Sequence, residues 1–132
     1  FFGKVTSSTA FVHQGFIYFS VHGPGVRVPA TKEAVTNLTA YELVQCPDGG
    51  QVFFKDMARA AVQPFPDGSG FVLIAEAAEP YRGSIYTATS TDMCKWSALK
   101  RVAAHETTNS TFYNPAIHAI LDNGSSWSVL FS

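Results

Sequence analysis

"AVQPFPDGSGFVLIA", residues 61–75, is the stretch from which the fold can be worked out. An apolar run, a turn rich in Pro, Asp and Gly, and a second apolar run opened by Phe71 follow one another. Turn residues between two such runs predict a β-hairpin. The same order recurs in "AFVHQGFIYFS", which starts at residue 10, and in "AIHAILDNGSSWSVLFS", which starts at residue 116, with Phe16 and Trp127 as the opening aromatics. These aromatics are about 55 residues apart, so the chain repeats a unit of strands.

A second hairpin is predicted between successive copies of the first. It is "AYELVQCPDGGQVFF" in the first unit and "IYTATSTDMCKWSALKRV" in the second, with Tyr41 and Tyr86 in corresponding places. Four strands per unit at a period near 50 residues are typical of β-propeller blades. The sequence therefore predicts an all-β fold of antiparallel four-stranded blades, in a single segment over residues 1–132 with units at 5–57, 58–108 and 109–132.

Almost no helical periodicity is present. The run "DMARAAV", residues 56–62, is too short for an amphipathic helix and is interpreted as a connection. A β-sandwich of about ten strands is the alternative to the propeller, because the same turn spacing permits it. The predicted strands are 9–13, 16–21, 40–45, 51–55, 60–65, 70–75, 84–89, 98–103, 116–121 and 126–131.

The number of blades predicts an incomplete propeller. Two complete units and the first hairpin of a third make about two and a half blades, whereas closed propellers typically have four to eight. An open arc of blades leaves strand edges and apolar faces bare. We therefore expect a fragment of a larger propeller, whose partners are the remainder of that propeller or other protein chains.

Composition limits the classes of partner. The 132 residues are 46% hydrophobic and 14% aromatic, which is enough to form the core of one domain. Nine basic and ten acidic residues nearly cancel, so the basic patch that binds nucleic acid or anionic membranes is absent. The apolar runs are too short to cross a bilayer, and we expect any signal peptide to have been removed. We predict no nucleic-acid partner and no membrane insertion.

Three sequons and two cysteines bear on the cellular compartment. Asn37, Asn109 and Asn123 each begin an Asn-x-Ser/Thr triplet in a predicted loop or turn, and glycosylation of such triplets is a feature of secreted proteins. They favour a secreted or cell-surface location, although Ser- and Thr-rich loops also produce such triplets by chance. Cys46 and Cys94 can form a disulfide there, and two buried free thiols are the alternative.

The segment "IYTATSTDMCKW", residues 85–96, resembles a region of sialidases and of furanosidase-type glycoside hydrolases, both of which are β-propellers. Sialidases have an Asp box there, Ser-x-Asp-x-Gly-x-Thr-Trp. Ser90, Asp92 and Trp96 match it, but Cys94 occupies the glycine position and the tryptophan comes one residue early. This shorter form is similar to the Ser-x-Asp-x-x-x-Trp of the furanosidase type. The resemblance implies a turn in which Asp92 accepts backbone N–H groups and Trp96 packs between blades.

The segment "YNPAIHAILDNG", residues 113–124, resembles the sialidase stretch that carries a tyrosine nucleophile at the start of a blade. The resemblance, which covers about residues 60–131, implies that Tyr113 is the nucleophile and that Arg82 binds a sugar carboxylate. A neutral phenol approaches an anionic anomeric centre without charge repulsion, and a guanidinium pairs both carboxylate oxygens. A loop tyrosine that packs or caps is the alternative for Tyr113.

The chain does not have all the catalytic carboxylates that the resemblance implies. The sialidase tyrosine has a glutamate partner from an earlier blade, and the equivalent stretch "VTSSTAFVHQG" has no carboxylate. Glu76 and Glu79 are the only paired carboxylates near a predicted rim. In a furanosidase-type site they would be the acid and the stabiliser. Solvent-exposed loop carboxylates without a catalytic role are the alternative for both.

The remaining polar candidates are two rim residues and two histidines. His22 and Arg27 lie in the glycine-rich segment "VHGPGVRVP", where we expect a role in substrate binding. His13 and His118 occupy comparable points of first strands and are expected to be structural. No metal-ligand spacing, phosphate loop or nucleophile elbow occurs, so we expect no metal and no cofactor.

Three functions fit these residues. The first is a carbohydrate-active propeller with a glycosidase site, and the second is a carbohydrate-binding or adhesive propeller that lacks the general base. The third is a structural module of a larger glycoprotein. An acidic residue at the first strand of an upstream blade would distinguish the first function from the second.

Overall fold

The structure is a computed structural model that describes residues 10–20, 25–48, 57–77, 84–103 and 115–132. Within these ranges the chain forms ten strands and two short helical segments. They are β1 (Ala10–His13), β2 (Phe16–Ser20), β3 (Gly25–Pro29), α1 (Lys32–Val35), a 3-10 turn (Leu38–Ala40), β4 (Glu42–Val44), β5 (Met57–Pro64), β6 (Phe71–Ala77), β7 (Ile85–Ser90), β8 (Lys100–Ala103), β9 (Ile117–Asp122) and β10 (Trp127–Phe131).

The described strands form three antiparallel sheets. Sheet 1 has the order β1-β2-β3-β4, sheet 2 has the order β5-β6-β7-β8, and sheet 3 is the hairpin of β9 and β10. Within each sheet, every strand therefore pairs with the strand that precedes or follows it in the chain. The predicted all-β, antiparallel class is confirmed. Phe16, Phe71 and Trp127 begin β2, β6 and β10, the second strand of each sheet, as the repeat predicts.

Local turn chemistry accounts for the first hairpin of sheet 1. Gln14 and Gly15, the two residues between β1 and β2, have φ angles of 47° and 78°. Positive φ at both central residues is the mark of a type I′ turn, whose twist matches that of the flanking strands. Glycine is also required at the start of β6, because a Cβ on Gly70 would collide with the carbonyl oxygen of Ser90.

The third strand of sheet 1 is not where the sequence predicts it. β3 lies in the glycine-rich segment between the predicted strands 16–21 and 40–45, and it pairs with β2 over five residues. Val26 and Val28 are 2% and 0% exposed, and burial of two β-branched side chains stabilises the strand despite the Gly and Pro at its ends. The predicted correspondence of Tyr41 and Tyr86 is therefore wrong, because Tyr86 lies in a third strand and Tyr41 precedes a fourth.

Two other local differences separate the structure from the prediction. The helical segments were not predicted, and each begins at a capping side chain: Thr31 Oγ1 accepts a hydrogen bond from Ala34 N (3.2 Å), and Asn37 Oδ1 accepts one from Thr39 N (3.1 Å). Residues 57–62, interpreted as a connection, belong to strand β5. The predicted strand 51–55 lies outside the described residues.

Sheets 1 and 2 pack through a shared apolar core. The rings of Phe11 and Phe71 are 6.0 Å apart, and every residue from 71 to 76 in β6 is buried, so this strand is covered on both faces. Burial of large apolar side chains between two sheets is the main stabilising term of such a fold. The core residues are Phe11, Tyr18, Cys46, Val62, Phe71, Leu73, Ala75 and Met93.

A disulfide joins the two sheets at the edge of this core. Cys46, which follows β4, is bonded to Cys94 in the connection between β7 and β8, with the Cα atoms 5.7 Å apart. Of the two states that the sequence leaves open, the structure has the disulfide. It links residues that are 48 positions apart, so sheet 1 is tied covalently to sheet 2.

Candidate functional site

The three sheets share a common orientation. We call the end at which the first strand of a sheet begins its upper end, and the end at which the first hairpin turns its lower end. The lower ends lie together, because the ring of His13 is 4.9 Å from that of Phe71 and the ring of Phe65 is 5.3 Å from that of Trp127. The first strands are also neighbours, since β1 contacts β5 and β5 contacts β9.

Five of the predicted residues lie in chain segments that connect to the upper ends of the sheets. In an antiparallel meander, the chain before the first strand and the connection from second to third strand are both at that end. The segments in question are 21–24, 78–83 and 104–114, and they lie outside the described residues. Their predicted residues are His22, Glu79, Arg82, Asn109 and Tyr113. The common cavity expected for Tyr113 and Arg82 stays a prediction.

Of the two predicted catalytic carboxylates, Glu76 and Glu79, the structure describes Glu76. It is the penultimate residue of β6, at the upper end of sheet 2, and its side chain is 2% exposed. Across the sheet its neighbours in register are Arg59 on β5 and Ile85 on β7. The alternative of a solvent-exposed loop carboxylate is wrong for Glu76, because two neighbouring strands and the core around β6 exclude water from it. No local signal in the sequence indicates this burial.

Arg27 is held by neighbours that the sequence did not identify. Its Nε donates a hydrogen bond to Glu42 Oε1 (2.7 Å), and its Cζ lies 4.5 Å from the centroid of the Phe16 ring. The hydrogen bond with Tyr18 and that with Glu42 raise the pKa of Arg27 above its ordinary value. Register explains the group, because Tyr18, Arg27 and Glu42 lie opposite one another on β2, β3 and β4. If β3 had been predicted as a strand, this register would have predicted the group of neighbouring side chains.

The segment similar to the Asp box forms a compact turn between β7 and β8. Asp92 Oδ1 accepts the backbone N–H groups of Cys94 and Lys95, both at 2.8 Å, and the hydroxyl of Ser90 at 3.1 Å. The backbone hydrogen bonds from Lys95 and Cys94 lower the pKa of Asp92 below its ordinary value. The predicted role of Asp92 as an acceptor of backbone N–H groups therefore matches the geometry of the turn.

Trp96 closes the same turn. Its Nε1 donates a hydrogen bond to the carbonyl oxygen of Met93 (3.0 Å), and its backbone forms a bridge with Ser90. The half-buried indole packs against the core shared by sheets 1 and 2. Met93 adopts a φ of 63°, a conformation unusual for a side chain of this size. The turn lies at the lower end of sheet 2, the end opposite to Glu76.

The two described histidines have different surroundings. His13 meets the edge of Phe71 and so faces the neighbouring sheet. His118 Nε2 is 2.7 Å from Ser132 Oγ, and its side chain is exposed. His118 also lines an open cleft of about 280 Å³ between β5 and β9, which the sequence does not predict. The other lining residues are Gln63, Pro64, Pro66, Ile117, Ala119 and Ile120.

Two of the predicted glycosylation sites are described, and both asparagines are exposed. Asn37 caps the 3-10 turn, where its Oδ1 also accepts a hydrogen bond from the hydroxyl of Thr39, the third residue of its sequon (2.8 Å). Asn123 lies in the turn between β9 and β10, where its backbone N–H donates to Ser126 O (2.9 Å). Glycosylation of these two residues stays a prediction.

Within the described ranges, no cluster of three His, Cys, Asp or Glu side chains is arranged to bind a metal ion. None of the helical segments described is long and apolar enough to span a membrane. Comparisons of the chain with protein-family models, with curated proteins and with solved structures find no match.

Proposed function

We propose that the chain is a segment of a carbohydrate-active β-propeller in a secreted or cell-surface glycoprotein, with a glycosidase site of the sialidase or furanosidase type. Two complete meanders of four strands, followed by the first hairpin of a third, support the propeller architecture. The neighbouring first strands support it too, because propeller blades surround a channel with these strands innermost. A sandwich would arrange the strands in two sheets.

The buried carboxyl group of Glu76 is the observation that supports a glycosidase most directly. Glutamate is rarely buried to this extent in a protein, and glycosidases depend on carboxyl groups placed beside the scissile bond. Glu76 lies at the upper end of sheet 2, three residues before Glu79 in the sequence. Glu76 is therefore a carboxyl group shielded from water at the upper end, and the proposal places Arg82 and Tyr113 near it.

The proposed roles follow the chemistry of each group. In a site of the sialidase type, Tyr113 is the nucleophile and Arg82 binds the carboxylate of an acidic sugar. In a site of the furanosidase type, Glu76 and Glu79 are the acid and the stabiliser. His22 contributes to substrate binding in both. Arg27 is not assigned to the substrate, because its guanidinium already contacts Glu42 and Phe16.

The test is a glycosidase assay of the full-length protein with aryl α-sialosides and aryl α-L-arabinofuranosides. For the sialidase type, Tyr113→Phe should lower kcat by at least about 100-fold, since it removes the nucleophilic oxygen. For the furanosidase type, Glu76→Gln should have an effect of at least that size. Glu42→Gln is the matched control, because Glu42 is an exposed carboxylate on sheet 1 with no proposed role in the site, and it should leave kcat unchanged.

A carbohydrate-binding module without catalysis is the second candidate. The observation in its favour is that β1 and β2, in the sequences AFVH and FIYFS, contain no carboxylate to serve as the general base. Binding of sialylated or arabinosylated glycans without turnover, weakened by Arg82→Ala, would establish this candidate. Absence of both turnover and glycan binding would contradict both functions and favour a structural module.

A further inference from the structure

Strand β10 is a second strand that has a single neighbour among the described strands. The second strands of sheets 1 and 2, β2 and β6, each pair on both sides, with the first and with the third strand. Among the described residues β10 pairs with β9 alone. Its outer row of backbone N–H and C=O groups therefore has no strand beside it there, and a hairpin of two strands is only marginally stable in water.

The composition of β10 is that of an interior strand. Its sequence, WSVLF, has no charge, proline or glycine, and in this respect it resembles β2, FIYFS, which lies inside sheet 1. Leu130 and Phe131 are 53% and 37% exposed. Apolar side chains next to unpaired backbone groups are unfavourable in water and promote pairing with another strand.

The outer edges of the two complete sheets provide an internal comparison. β4 has only three residues, and Glu42, one of them, carries an exposed charge. β8 contains the exposed cations Lys100 and Arg101. Short length and charge are the usual features that keep an edge strand from pairing with another chain. β10 has neither feature, so its composition is not that of a strand at the edge of a sheet.

We propose that the outer edge of β10 binds an antiparallel third strand that belongs to the rest of the propeller, outside these 132 residues. The inference rests on the propeller architecture of the proposed function and not on its carbohydrate chemistry. In both complete sheets the third strand follows the second through a short connection at the upper end, residues 21–24 and 78–84. Applied to sheet 3, the same pattern predicts a third strand after Phe131. The rest of the propeller is therefore the source of this strand.

The registers of the complete sheets define how the new strand lies. Phe16, at the start of β2, is opposite Pro29, the last residue of β3, and Phe71 is opposite Ser90, the last residue of β7. The new strand therefore begins opposite Phe131 and ends opposite Trp127. It covers Leu130, and its side chains are small or β-branched, like most of those in β3 and β7.

Two lysine substitutions in the full-length protein test the proposal. Leu130→Lys places a charge on β10, and Val102→Lys, at a residue 43% exposed on the charged edge strand β8, is the matched control. If a strand covers β10, Leu130→Lys should lower Tm by about 4 °C or more, and Val102→Lys by less than about 2 °C. Equal and small decreases in Tm would overturn the proposal.

Amide hydrogen exchange gives a second measurement that needs no variant. With strands on both sides, all the backbone amides of β10 should exchange slowly, whereas an edge strand protects only alternate amides. Alternating protection, or full protection that is lost on dilution and so identifies a second copy, would overturn the proposal. Sugar turnover and glycan binding are measured in separate assays. If all amides of β10 are protected but the protein neither turns over nor binds sugars, the carbohydrate function alone is refuted.

Discussion

Asp92 shows how much structure a single side chain can specify. One carboxylate oxygen accepts two backbone N–H groups and a hydroxyl within a turn of a few residues. Such local hydrogen bonds depend on neighbours in sequence, which is why the role of Asp92 could be predicted from the matching residues alone. Glu76 is the opposite case, because its burial is produced by strands β5 and β7 and not by its sequence neighbours.

Stability should therefore depend on the ionisation of Asp92. Its pKa is lowered in the folded protein, so the stabilisation is fully present above the unfolded value, 3.8, and is lost as the pH falls through the folded pKa. Asp92→Asn should lower Tm at pH 7, and the difference in Tm from the unmodified protein should shrink below pH 3.8. Thermal melts across this range provide the measurement. Glu33→Gln, at another exposed carboxylate, is the control, and a difference in Tm that does not vary with pH would contradict the prediction.

At the scale of the elements, strand pairing overrides local composition. The segment of β3 contains Gly25 and Pro29, which indicate a loop when the sequence is considered alone. In the structure its residues pair with β2 on one side and β4 on the other, and both valines are buried. β4 is shorter than β3, and the segment that follows it is attached to sheet 2 through the disulfide.

The disulfide should contribute substantially to the stability of this attachment. A loop closed between residues 48 positions apart loses chain entropy in the unfolded state worth about 4 kcal/mol. The double variant Cys46→Ser, Cys94→Ser should therefore have a free energy of unfolding lower by about this amount, measured by urea denaturation. The reduced, unsubstituted protein is the control and should behave in the same way. Equal midpoints for the oxidised protein and the double variant would contradict the prediction.

At the scale of the whole molecule, the three sheets are covered unequally. Sheet 2 has the most buried strand, β6, and it contacts sheet 1 through β1 and sheet 3 through β9. Sheet 3 exposes Leu121, Leu130 and Phe131. Apolar surface of this kind, next to a strand edge that no other described strand pairs with, favours association.

The isolated chain of 132 residues should consequently aggregate or form oligomers in solution. Light scattering over a range of protein concentrations measures this directly, and the mass should exceed that of one chain and rise with concentration. If the rest of the propeller is added and supplies the proposed third strand beside β10, the association should be suppressed. A monodisperse monomer of 14.3 kDa with one cooperative melting transition would contradict the prediction.

The sequence by itself determined the first hairpin of each sheet, the aromatic residue that opens its second strand and the turn around Asp92, because hairpins and turns are stabilised by residues close together in the chain. Only the tertiary structure decided that residues 25–29 form a strand, that Arg27 pairs with Glu42, and that Glu76 is buried. The tertiary structure also decided that Cys46 is bonded to Cys94, which the sequence left open. Each of these features depends on partners in other strands or in the neighbouring sheet, up to 48 residues away in the chain, and sequence periodicity does not encode such contacts.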